Sequence, residues 1–292
     1  MKSFLALVKR EYLEHRGAFL YGPLILIGLM VAGTVLPFLV GRFRADYFGD
    51  EIGGTLKFYE LAFMAAIAGW TIYLLITLFF YYADAFSADK RNNAMLFWKS
   101  MPVSDLRILS SKMVAGLTIF PALIFLAMLF SGAWAYVMAL MVHAQFPLFA
   151  APEFLTAFDS FWRIAIVGFV FVALVLLWVA PLLAWVGALS TAVGRWAMPL
   201  AALIPGILVL LENVCFKAQD GGQIANYLRY RADFSWAREA VQGQIMSLGQ
   251  VDIPGFVGRL VGQVDWVQMA AGWAFVVVVI VAASEYRRRT LD

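Results

Sequence analysis

Six apolar windows divide this chain: Ala18 to Val40, Leu61 to Tyr82, Met113 to Met141, Ile164 to Ala188, Met198 to Leu211 and Val267 to Ala283. A helix needs about 20 such residues to cross roughly 30 Å of hydrocarbon, so each window predicts a span, the fifth and sixth being short. The polar pieces between them have patterns of their own. Over residues 1–17, Met1, Phe4, Leu5, Val8 and Tyr12 share one face of a helical wheel, with Lys2, Lys9, Arg10 and Glu14 on the other. That is the pattern of a helix lying in the membrane interface.

Between the second and third windows, the polar segment 83–112 contains Ala94, Phe97, Trp98 and Met101 at i, i+3, i+4 and i+7, placing two aromatic rings on one face of a short helix. Asp89 falls in its first turn, where a carboxylate complements the helix dipole, and Pro102 ends it. Ser104 then reads as an N-cap, with Asp105 opening the helix that runs into the third span. Before the last span, the segment 212–266 is too long for a turn. Its stretch from Lys217 to Asp233 is polar. Ser235 is placed to cap a helix ending near Leu248, and Pro254 to open another leading into the last span. Trp236, Ile245, Phe256, Leu260 and Val264 supply apolar surface, so a small helical cap is expected there rather than a disordered linker.

Charge sets the orientation. With the N-terminus inside, 13 of the 22 Lys and Arg residues fall on the cytoplasmic side against 7 of the 19 acidic ones. The positive-inside rule therefore predicts that both termini are cytoplasmic and that 212–266 is extracytoplasmic. The tail Glu285 to Asp292, with Arg287, Arg288 and Arg289, is expected to anchor the last helix on anionic headgroups. The opening residues include Glu11 and Glu14 and no small-residue cleavage site, so no cleavable signal peptide is expected.

Composition narrows the chemistry. At 63% hydrophobic and 14% charged residues, with a mean hydropathy of +0.82, the chain lies far from soluble averages. The single Cys215 excludes an intrachain disulfide and a thiolate cage. There is no G-x-x-x-x-G-K-[ST] loop, no G-x-S-x-G, no H-E-x-x-H, and only two histidines, His15 and His143. No cofactor or metal is expected in this chain, and its scattered basic residues do not point to nucleic acid. The middles of the windows are nearly free of charge, and the halves show no repeat, which argues against a proton-coupled or sodium-coupled carrier.

The run from Asp84 to Asp105, with its Phe97-Trp98-Lys99-Ser100-Met101-Pro102-Val103-Ser104-Asp105 string, resembles the first cytoplasmic loop of the permease subunits of bacterial type-2 ATP-binding-cassette exporters. The opening Val8 to Phe19, with Pro23 after it, is similar to that branch's connecting helix. Asn92 and Asn93 depart from an Asp-Arg pair often present there, and Met101 replaces the usual Leu.

The resemblance implies an all-α integral membrane protein: one permease domain over 1–292, six transmembrane helices, an interfacial connecting helix, a cytoplasmic coupling helix and an extracytoplasmic cap. It implies a bacterial inner-membrane location and two partners, a second permease copy (homodimer or heterodimer) and a separate cytoplasmic ATPase that binds ATP and Mg. Asp89, Arg91, Asn92, Phe97, Trp98, Lys99 and Ser100 would form the ATPase-coupling interface. Trp70, Thr71 and Thr77 of the second span and Met198, Ala202 and Val209 of the fifth would line a path for an amphipathic or hydrophobic cargo. The rival classes are a membrane scaffold or assembly factor whose aromatic hairpin recruits another cytoplasmic partner, and an ion-coupled secondary transporter.

Overall fold

A computed structural model describes residues 2–41, 55–91, 103–146, 150–216, 222–234, 236 and 253–290. Among them every regular element is helical, and no strand occurs. The helices are α1 (Lys2–Arg16), α2 (Gly22–Leu39), α3 (Thr55–Arg91), α4 (Asp105–Leu117), α5 (Ile119–Gln145), α6 (Phe154–Val193), α7 (Ala197–Phe216), α8 (Gly222–Ala232), α9 (Ile253–Gly262) and α10 (Trp266–Arg289). Among the described residues, five continuous stretches are long and apolar enough to cross a membrane: Ser3–Leu39, Thr55–Ala88, Asp105–Gln145, Phe154–Cys215 and Trp266–Arg289.

The fourth stretch holds two helices that fold back on each other. Gly194 closes α6 at φ +58°, a left-handed conformation favoured by glycine, and a single 3₁₀ turn, Gly194–Trp196, leads into α7. Chain reach proves the reversal. Glu212 of α7 accepts the backbone N–H groups of Gln223 and Ile224, and Arg231, eight residues on, bonds to Trp178 of α6. Those eight residues of α8 span about 12 Å, whereas a straight continuation of α6 into α7 would separate Trp178 from Glu212 by about 50 Å.

Expected helices run longer than their apolar windows, because the hydrophobic count stops where polar residues begin while backbone hydrogen bonding continues. The third window is divided at Thr118, which leaves helical geometry at φ −127°, ψ −66°. Pro121 accounts for the break, since it has no N–H to offer the Leu117 carbonyl four residues back. The expected Ser104 cap is present: its Oγ accepts from Arg107 N at 3.4 Å. Pro254 does lie in the first turn of α9, and Trp236, Leu260 and Val264 pack with Leu174, Trp178 and Met269. Ser235, Ile245 and the helix expected to end near Leu248 lie outside the described residues.

Packing centres on α3, whose Phe63, Ile67, Leu74, Leu78, Tyr82 and Phe86 are buried at helical spacing. Their neighbours are small. A Cβ added at Gly132 of α5 would lie 2.5 Å from the Phe63 ring, and one at Gly168 of α6 would lie 2.7 Å from Ile67. Between apolar helices, dispersion and close approach replace the hydrophobic drive that water supplies, so large side chains of α3 seated on glycines, Phe63 on Gly132, Ile67 on Gly168 and Phe86 on Gly187, hold it against α5 and α6. Trp70 Nε1 adds a polar pin, donating to Ser131 Oγ of α5 at 2.9 Å.

Two expectations are corrected. The buried face of α1 runs through Leu7, Val8 and Glu11, while Leu5 is 63% exposed, because Glu11 finds a partner inside the fold. Arg287 does not reach headgroups: it is 2% exposed and paired with Asp105 at 2.9 Å, whereas Arg288 and Arg289 bond to Glu285.

Gly132→Val should force the Phe63 ring out of place and cost about 1–3 kcal/mol, the usual range for overpacking. Thermal unfolding in mild detergent, beside an exposed control such as Gly28→Ala, checks this. An unchanged transition for Gly132→Val would mean that α3 and α5 do not pack this closely.

Candidate functional site

Two places concentrate chemistry. The first lies where α1, α3, α4 and α10 meet. Lys112 of α4 and Glu11 of α1 are 1% and 4% exposed, and Lys112 Nζ lies 3.0 Å from Glu11 Oε1. The Tyr81 hydroxyl of α3 sits 3.1 Å from Glu11 Oε2 and 3.2 Å from the Lys112 carbonyl, so one proton is shared between two acceptors. Tyr82, the next residue, donates to the Met113 carbonyl at 3.0 Å. The His15 ring stands edge-on to Tyr81 with centroids 4.7 Å apart, and its Nδ1 is 3.1 Å from the Glu11 carbonyl. Glu11, Glu14 and His15 bring three possible ligand atoms within 4.8 Å of one another, but Lys112 engages one Glu11 oxygen, so the group is an ion-pair cluster.

About two turns before Lys112, Asp105 takes the charge of Arg287 from α10. Helix α4 is thus fastened at two buried points, once to the first helix and once to the last. Burying a charge is tolerable only when it is paired, so each of these residues demands the other.

The coupling residues named from the sequence have mixed standing. Asp89 and Arg91 fall on the last turn of α3, with side chains outside the described part. Asn92, Phe97, Trp98, Lys99 and Ser100 lie outside the described residues altogether.

The second place is a cavity of about 790 Å³ bounded by α3, α6, α7, α8 and α10. Its wall is almost entirely apolar, with Ile76 and Phe80 from α3, Leu182 from α6 and Leu208 from α7. Pro181 and Pro205 also line it, and each removes the N–H that a helix carbonyl four residues earlier would accept. None of the six residues expected to line a path touches this cavity. Trp70 is spent on Ser131, and Thr71 and Thr77 bond back to carbonyls of their own helix. Met198 packs against the main core, Ala202 is exposed and Val209 half-buried. The second and fifth windows do supply the wall, but through neighbouring residues on adjacent faces.

Arg231 of α8 is the charged member of that wall. Its Nη1 donates to the Trp178 carbonyl at 3.2 Å, its Nη2 to the Gln268 carbonyl and its Nε to the Tyr227 hydroxyl at 3.2 Å. The guanidinium lies over the Trp178 ring, 4.4 Å from its centroid, and Trp178 Nε1 in turn donates to the Arg231 carbonyl at 3.0 Å. Asp265 supports the same corner. It caps α10 through Gln268 N at 3.0 Å and accepts the Tyr230 hydroxyl at 3.0 Å. Those hydrogen bonds, the Gln268 N–H foremost, hold its carboxyl below the usual range.

Sequence reading missed Glu11, Lys112 and Arg231 as structural centres. The signal for the first two was an ionisable residue in step with buried apolar ones, Glu11 after Leu7 and Val8, and Lys112 after Ile108 and Leu109. For Arg231 it was the aromatic residue four positions earlier, Tyr227, beside a Trp in a neighbouring span.

Compared with known protein families, with characterised proteins and with solved structures, the chain finds no match. What its own fold defines is a multi-pass, all-helical membrane protein with an apolar cavity inside one chain.

Lys112→Met should leave Glu11 buried without its counter-charge and cost about 3–5 kcal/mol, while Glu11→Gln with Lys112→Met together should recover most of that loss. Thermal unfolding of the single and double variants measures it. For Asp265, the folded carboxyl lies below its unfolded value, so its contribution is complete above the unfolded range and fades as pH falls through the folded one. The gap in Tm between wild type and Asp265→Ala should therefore hold at neutral pH and narrow only in acid.

Proposed function

We propose that this chain is the membrane-spanning subunit of an ATP-driven exporter of the type-2 ATP-binding-cassette kind. Two copies form the pathway, and a separate cytoplasmic ATPase binds ATP and Mg beneath them. On this reading the chain crosses a bacterial inner membrane six times, the Phe154–Cys215 stretch counting twice because it reverses at Gly194. Both ends of the chain are cytoplasmic, in keeping with Glu11 and Arg287 meeting the same helix.

The observation that carries the proposal is the junction behind the Phe97-Trp98-Lys99-Ser100 string. The string joins α3 to α4, and α4 is locked by buried charge to α1 and α10. A partner that pushes on the string therefore displaces the first and last helices together with α3, without any flexible element between Asp105 and Lys112 to absorb the motion. A chain with no nucleotide-binding loop needs such an outside source of work, and an aromatic pair flanked by Arg91 and Lys99 is a composition that carries interface energy. The apolar cavity bounded by α3 and α7 suits an amphipathic or hydrophobic cargo.

Replacing Phe97 and Trp98 with Ala should leave the chain inserted in the membrane and lower recovery of its ATPase partner by about tenfold or more. Pull-down from membranes solubilised in mild detergent reads the ATPase recovery, and vanadate-sensitive, ionophore-insensitive export, expected to fall with it, reads the coupling. Undiminished ATPase recovery and export in the double variant would remove the coupling role from this string.

A further inference from the structure

Arg231 carries the one charge among the residues lining the cavity. Among the described residues no carboxylate forms an ion pair with it, and Asp265, off the cavity wall, acts on it only at longer range. Its three bonds go to two backbone carbonyls and a phenol, which orient the guanidinium without neutralising it. They use one N–H on each of its three nitrogens, and a guanidinium carries five, so one N–H remains on each terminal nitrogen. A pair of N–H groups on a planar cation matches the two oxygens of a carboxylate or the oxygens of a phosphate. Trp178 fixes the group from both sides, by its ring and by its bond to the Arg231 carbonyl, so the donor is held in place before any ligand arrives. Gly272 of α10 leaves room for this, since a Cβ there would lie 2.5 Å from Arg231 Nη2.

We propose that the cavity binds an anionic amphiphile with one hydrocarbon chain, its acidic head on Arg231 and its tail along the α3, α6 and α7 wall. A cavity of about 790 Å³ has room for one long hydrocarbon chain with its head against Arg231. Apolar wall and fixed cation divide the work: Ile76, Phe80 and Leu208 hold the tail by area, and Arg231 decides between an acid and its neutral relative. This deepens the exporter reading by naming the cargo class, and rests on it only for the statement that what binds is carried.

The test uses the full chain in phosphatidylcholine nanodiscs at pH 8, with cis-parinaric acid and its methyl ester as fluorescent probes excited by transfer from tryptophan. Wild type should favour the acid over the ester by at least about tenfold. Arg231→Gln should lose that preference while keeping ester binding, and Arg231→Lys should restore part of it. Leu208→Trp should weaken both probes alike by filling the tail space. Equal binding of acid and ester by wild type overturns the proposal, even if Arg231→Gln does not fold. So does an acid preference that survives in Arg231→Gln, and so does failure of both probes to bind, the outcome expected if a second copy fills the cavity. Adding phosphatidic acid to the nanodiscs separates the sources of the anion: displacement of the probe by this two-chain lipid at equal concentration overturns the single-chain assignment, and its failure to displace supports it. Acid preference in wild type with no ATPase partner would sink the exporter reading and leave the site standing, whereas ATP-driven export with no acid preference would do the reverse.

Discussion

The buried pairing of Lys112 with Glu11 is the constraint on which the arrangement of this molecule depends. Most of its helices meet through apolar surface, and such surface in lipid sets distance but says little about which partner belongs where. An ammonium that is 1% exposed can be accommodated only opposite its carboxylate, so α1 has one place to go. The Asp105–Arg287 pair fixes the last helix on α4 in the same manner. Through those two points α4 carries the first and last described helices, and the ring-on-glycine contacts of α3 can then fill the space inside a frame already fixed.

Apolar periodicity made most helices legible. All six windows correspond to helical segments, the Ser104 cap and the Pro254 start are where the pattern put them, and the apolar residues described between Trp236 and Val264 are buried as expected. What the pattern could not supply was direction within a face. Trp70 is an aromatic residue on the expected helix, yet its indole N–H needs an acceptor and finds Ser131, which turns it toward α5 and away from the cavity. Thr71 and Thr77 donate their hydroxyl protons to carbonyls of their own helix, so neither has a donor left for a ligand. Glu212 was equally opaque: in the sequence it only opens the segment 212–266, yet its carboxylate caps the N-terminus of a helix that begins ten residues later.

Charged residues were misread for a related reason. Counting Lys and Arg gives an orientation for the chain but treats each of them as solvated, and three of those cations here are held inside the fold. Glu11 and Lys112 neutralise each other, Arg287 lies under α4, and Arg231 is held by backbone carbonyls against an indole. Spacing in the sequence hints at such burial only when an ionisable residue falls in phase with apolar neighbours. The partner, on a helix a hundred residues away, is legible only in three dimensions.

The turn at Gly194 has a mechanical consequence. A link of three residues leaves no slack, so α6 and α7 cannot slip lengthwise past each other; they lean as one hinged leaf. The width of the space between these two helices and the remaining walls is then set by the angle at Gly194, with Arg231 bound to α6 at Trp178 inside it.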